Sequence, residues 1–121
     1  MDNMQNSKQY DLEPRTLKFA KDVRTFVGKL NKSTANIEDG KQLIRSSGSI
    51  GANYIEANES LGKKDFAMRI KICRKEAKES RFWLKLLDTQ LDSELQKERA
   101  KLEKESDELL KIFSAIVQKV Q

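Results

Sequence analysis

The chain has 121 residues, 24 Lys and Arg against 19 Asp and Glu, one cysteine, one proline and no histidine, for a formal net charge of +5. One domain of this length buries about two-thirds of its unfolded surface without disulfide staples, and the balance of charged (36%) with hydrophobic (37%) residues excludes a disordered chain rich in Pro, Gly and Ser. No apolar run approaches the roughly 18 residues of a membrane span, and without histidine neither a ferritin-like di-metal site nor a common zinc site can be assembled, so no metal or cofactor is expected.

The opening residues, MDNMQNSKQYDLEP, have neither the basic start nor the apolar core of a secretory signal, which makes a cytoplasmic location the expectation. Residues 1–11 read as a flexible segment ahead of a single domain over 12–121. A first helix opens at Glu13-Pro14-Arg15, where proline is tolerated because its missing donor would have no partner in the first turn. Leu12, Phe19, Val23, Phe26, Val27 and Leu30 follow at helical spacing, and Ser33 or Thr34 offers a cap for the next helix.

The second helix, from about Ala35 to Asn58, contains Ser46-Ser47-Gly48-Ser49-Ile50-Gly51, a run whose propensity is that of a loop. A loop there would leave Ile50, Tyr54 and Ile55 on a fragment too short to hold, so the helix is read as continuous. Its stripe is then Ile37, Ile44, Ser47, Gly48, Gly51, Tyr54, Ile55 and Asn58, with Ser47, Gly48, Gly51 and Tyr54 as the helix-packing residues where a neighbouring backbone approaches closely. A third helix follows Gly62, with Asp65 favoured in the first turn. Phe66, Ile70, Cys73, Ala77, Leu84 and Leu87 form its main stripe, widened by Met68, Ile72, Phe82, Trp83 and Leu86. Asp92 or Ser93 caps a fourth helix, in which Leu95, Leu102, Leu109 and Ile116 recur every seven residues. Four long helices with short connections predict an all-α, up-down-up-down antiparallel four-helix bundle.

The chemistry is sparse. GSIGAN lacks the Lys-Ser/Thr of a phosphate loop and does not follow a strand. Glu56, Glu76 and Glu79, with Asn53 and Asn58, read as a polar network held by Lys75, Arg74 or Arg81 rather than as an acid/base pair, and no catalytic residue is predicted. Cys73, with no histidine to activate it, reads as a small core residue. The cations concentrate on the third helix and its lead-in: Lys63, Lys64, Lys71, Arg74, Lys75, Lys78 and Arg81 are the candidate nucleic-acid-binding residues, with Lys18, Lys21, Arg24, Lys41 and Arg45 as possible additions. Such a surface reads the phosphates of RNA or DNA without base specificity. The alternative is a protein-protein interaction scaffold whose charge serves solubility.

RTLKFAKDVRTFVGKL, QLIRSSGSIGANYIEANES and KKDFAMRIKICRKEAKESRFWLKLL together resemble the four-helix-bundle protein family of the 23S ribosomal RNA intervening sequence, over roughly Leu12 to Leu87. The resemblance implies a bacterial, non-enzymatic bundle that assembles as a homopentamer, and a relation to the accessory variability determinant of diversity-generating retroelements, which binds nucleic acid. Five copies of a +5 chain would form a strongly basic assembly. Similar proteins usually carry serine where this chain has Gly62, a departure that touches helix capping and not function.

Overall fold

The structure, a computed structural model, describes residues 12–121; the segment 1–11 lies outside the described residues. Four helices follow one another: α1 (Leu12–Lys29), α2 (Thr34–Asn58), α3 (Lys63–Leu86) and α4 (Ser93–Val120). The last three are started by the local chemistry the sequence offers. The Ser33 side chain accepts from the Asn36 amide at 3.1 Å and Asp92 accepts from Leu95 at 3.0 Å, whereas Gly62 caps α3 without a side chain. The short connections reverse the chain three times, giving the antiparallel four-helix bundle. Helices α2 and α4 both flank α3 closely, and α1 leans on α2 more than on α4.

The core runs the length of the bundle, with Phe19, Val23 and Phe26 of α1, Leu43 and Ile50 of α2, Ile70, Cys73 and Leu84 of α3, and Leu109 and Phe113 of α4 fully enclosed. Burying each large apolar side chain contributes about 1.5–3 kcal/mol. Polar atoms at the helix ends are satisfied by specific partners. The buried Asn36 donates to the Asn31 and Asp88 carbonyls and accepts from the Asp88 amide, all at 2.9 Å, which ties the α1–α2 loop to the α3–α4 loop. Arg99 of α4 donates to the Leu87 carbonyl at the end of α3, completing a helix terminus that has no glycine to close it.

Helix α2 is continuous through the glycine-serine run, but its buried line differs in phase from the predicted stripe. The enclosed residues are Asn36, Gly40, Leu43, Ser46, Ser47, Ile50, Tyr54 and Ala57, while Ile37 and Ile55 are exposed. The reason is that small residues carried the packing. A Cβ on Gly51 would lie 2.8 Å from Thr16 Oγ1, and the Ser46 and Ser80 hydroxyls meet at 2.8 Å across the α2–α3 seam. Ser47 and Tyr54 are buried as packing residues, Tyr54 with its ring 6.0 Å from that of Phe113. Gly48 is a correction: a Cβ there meets nothing within 4 Å, so it does not mediate a close approach. Met68, Phe82 and Leu86, placed by sequence on a widened apolar face of α3, are likewise about half exposed.

Gly51→Leu is therefore expected to destabilise the bundle by about 1–3 kcal/mol or more, because Thr16 is β-branched, buried and committed to the Leu12 carbonyl. Gly48→Ala has room for its methyl and removes backbone freedom, so it should raise stability by about 0.5–1 kcal/mol. Thermal or urea unfolding of the pair distinguishes the two glycines.

Cys73 is enclosed, its thiol donating to the Ile50 carbonyl at 3.4 Å, and burial pushes its pKa from the ordinary 9.0 up to about 12. A raised folded-state value means the contribution to stability is complete below pH 9, where the unfolded thiol is also protonated, and declines as pH rises towards 12. The stability advantage of the wild type over Cys73→Ala should accordingly shrink above pH 9 and stay constant below it. Thiol labelling at pH 8 should proceed at the rate of opening of the bundle.

Candidate nucleic-acid interface

Helix α3 is pinned on its inner side by Ile70, Cys73, Ala77, Ser80 and Leu84, so the opposite side must face solvent. At 100° per residue that outward side carries Lys64, Lys71, Lys78 and Lys85, which recur every seven residues and stand about 10.5 Å apart along the axis. Beside this row run Met68, Lys75 and Phe82 with the same seven-residue interval. Lys63, Lys64, Lys71, Lys75 and Lys78 are all exposed, and Arg74 is half-buried on the flank that turns towards α4.

What separates these cations is their counter-charges. Arg81 is held 2.6 Å from Asp107 and Lys85 3.3 Å from Glu103, both carboxylates belonging to α4. Among the described residues, no carboxylate forms an ion pair with Lys63, Lys64, Lys71, Arg74, Lys75 or Lys78. Of the additional cations, Lys18 is paired with Asp22 at 2.6 Å, Lys41 with Glu38 at 3.6 Å and Arg45 with Glu79 at 3.5 Å, whereas Lys21 and Arg24 of α1 are exposed and form no ion pair among the described residues. A row of uncompensated lysines thus lies along the N-terminal two-thirds of α3, and Arg81 is withdrawn from it. Sequence reasoning placed Arg81 with the row because the acid that claims it lies on another helix.

The expected polar network also has other partners. Arg45 of α2 reaches Glu79 and, at 3.8 Å, the almost completely buried Glu76; Arg69 donates to Asn53 at 3.2 Å; and Asn58 donates to Glu13. Arg74 and Lys75 take no part, since they project from the far side of α3. Glu56 is exposed on α2 and does not join Glu76 and Glu79. The Arg45 and Arg69 contacts run across the α2–α3 seam and fix the relative register of those two helices, whereas Asn58–Glu13 ties α2 to α1. Among the described residues no group of three or more His, Cys, Asp or Glu side chains is placed to hold a metal ion, and no helix is long and apolar enough to cross a membrane.

The sequence model of the 23S rRNA-intervening sequence protein family matches residues 8–115. The fold is also similar to a solved structure of a protein with unknown function from the S23 ribosomal protein family of Bacteroides thetaiotaomicron VPI-5482. The two share 28% sequence identity over 92% of this chain and 98% of that one, with a TM-score of 0.79. No curated protein matches the sequence.

Because the outward lysines have no ion-pair partner, Lys71→Glu, Lys75→Glu and Lys78→Glu should leave the melting temperature essentially unchanged. Arg81→Glu faces Asp107 instead and should lower it by roughly 3–6 °C. Circular-dichroism melts of the four variants test the assignment of which cations are structural.

Proposed function

We propose, from the premise that this chain belongs to the 23S rRNA-intervening sequence protein family, that it is a binding protein and not an enzyme, whose α3 engages nucleic acid through phosphate contacts. The observation that carries this reading is the row of lysines left without counter-charges while other cations, on α1, α2 and the C-terminal end of α3, are paired. A lysine with no neighbouring carboxylate is not locally neutralised and remains available to a phosphate. A polyanion supplies several phosphates at once and releases its own counterions, which makes binding favourable at low salt and independent of base sequence.

Assembly is part of the proposal. The resemblance implies a homopentamer, and repetition of the lysine row around a closed ring would let weak contacts at each copy add. The compartment in which such a ligand is met is the cytoplasm.

Fluorescence anisotropy with labelled RNA and DNA oligonucleotides, titrated between about 50 and 200 mM salt, tests the reading. Engagement of four phosphates per chain predicts a log–log salt slope of about −3 to −4. The triple variant Lys71→Glu/Lys75→Glu/Lys78→Glu should flatten that slope and weaken binding at least tenfold. Absence of binding at the lowest salt, or binding that ignores salt, overturns it. Light scattering tests the assembly separately: five copies of a 14.0 kDa chain give roughly 70 kDa.

A further inference from the structure

We infer that Phe82 is a stacking platform for an unpaired base, so that the preferred ligand of α3 is a single-stranded nucleic acid and not a duplex; this rests on the nucleic-acid reading of the lysine row. Phe82 is 56% exposed on the same outward face as that row. Lys78 lies one turn before it and Lys85 one turn after it. An exposed aromatic ring is common on protein surfaces in itself; what marks this one is its place one turn from the uncompensated Lys78. The ring packs nearly perpendicular to that of half-buried Trp83, with centroids 5.1 Å apart and planes at 77°. A T-shaped contact of this kind restrains the orientation of the ring before any ligand arrives. Leu86, one turn further and 51% exposed, extends the apolar surface beside the ring, and Met68, at 49%, stands separately at the other end of the same face.

Charge complementarity decides the class of occupant. The outward lysines between residues 64 and 78 attract a polyanion, and Glu79, one turn before Phe82, is turned aside to Arg45. A duplex satisfies the lysines through its phosphates but keeps its bases stacked inside, leaving Phe82, Leu86 and Met68 uncovered. A single strand satisfies both, since its backbone can follow the lysines while a splayed base lies on the ring. Stacking reads the face of a base and not the sugar, so single-stranded RNA and DNA of the same sequence should bind alike.

The test compares a single-stranded 20-mer RNA, the same sequence as DNA, and a duplex of it, by anisotropy at fixed low salt, on wild type, Phe82→Ala, Phe82→Leu and Phe82→Trp. Single strands should bind wild type more tightly than the duplex. Phe82→Ala should weaken single-strand binding about 5- to 100-fold and leave duplex binding within about twofold. Phe82→Trp should restore or improve single-strand binding, whereas Phe82→Leu, apolar but without a π face, should not. Unchanged melting temperatures for all three variants confirm that an exposed ring was altered and not the core. Duplex binding as tight as single-strand binding, or full affinity in Phe82→Leu, overturns the stacking role while leaving the electrostatic reading intact. Failure of every oligonucleotide to bind overturns both. An acidic amphipathic peptide that binds with the same Phe82 dependence, where oligonucleotides do not, reassigns the face to a protein partner and overturns the inference.

Discussion

The angular setting of α3 depends on a few places where side chains are too small to keep helices apart. The Ser46 and Ser80 hydroxyls in contact, the Cys73 thiol on the Ile50 carbonyl, and Gly51 under Thr16 bring three helices together with little bulk between them. Small residues cost helix propensity, and in isolation the glycine-serine run of α2 would not persist as a helix. Packing on both sides offsets that loss. It also locks the rotation of each helix, because a larger group turned into either seam has nowhere to go. Rotating α3 by a single residue would swing its outward lysines by about 100°, so the exposed chemistry of the protein follows from contacts on the opposite side of the same helix.

The second determinant is where the acids fall. Net charge states an excess of cations but not which of them is available. Helix α4 supplies Asp107 and Glu103 to Arg81 and Lys85, and α2 and α3 exchange Arg45 with Glu76 and Glu79. These pairs are partly exposed and contribute modestly to stability. Their larger effect is subtractive, since they remove some cations from the surface field and leave a contiguous row of lysines in place. The fourth side of the bundle is different in kind. There α1 and α4 are held by the bidentate Arg15–Glu105 pair and by Lys29–Glu98, over a groove of about 380 Å³ floored by Phe19 and Leu102. That seam is the more open one, with ion pairs bridging a groove and not sealing a close contact.

Membership of the family and the shared fold of a Bacteroides thetaiotaomicron protein define the scaffold, and both descriptions stop short of an activity. Function in a bundle of this kind has to be sought in side chains that the fold does not need. By that criterion the lysine row and Phe82 qualify: neither fills the core, caps a helix or compensates a carboxylate of α4, with the exception of Lys85. The buried polar groups serve the fold: Asn36 bonds the two connections together, Ser46 and Ser80 bond across the α2–α3 seam, and Glu76 stands 3.8 Å from Arg45 with its Oε1 making no hydrogen bond.

The sequence by itself determined the four helices, the reversal at each connection and the apolar residues that α1, α3 and α4 send to the centre; it narrowed the caps to Ser33 or Thr34 and Asp92 or Ser93, of which the structure uses Ser33 and Asp92. Those features depend on local spacing and on side chains whose burial is favourable in any bundle. It also located the cations on the third helix. Tertiary structure decided the rest. The phase of α2 is set by which small residues touch Thr16 and Ser80, and periodicity cannot distinguish Gly48 from Gly51 because both lack a side chain that reports a preference. Arg81 left the candidate site for Asp107, and Phe82 joined it, because the identity of the neighbour across a seam is absent from the spacing along one helix. Periodicity gives the faces of a helix; only packing assigns each face to core, to a neighbouring helix or to solvent.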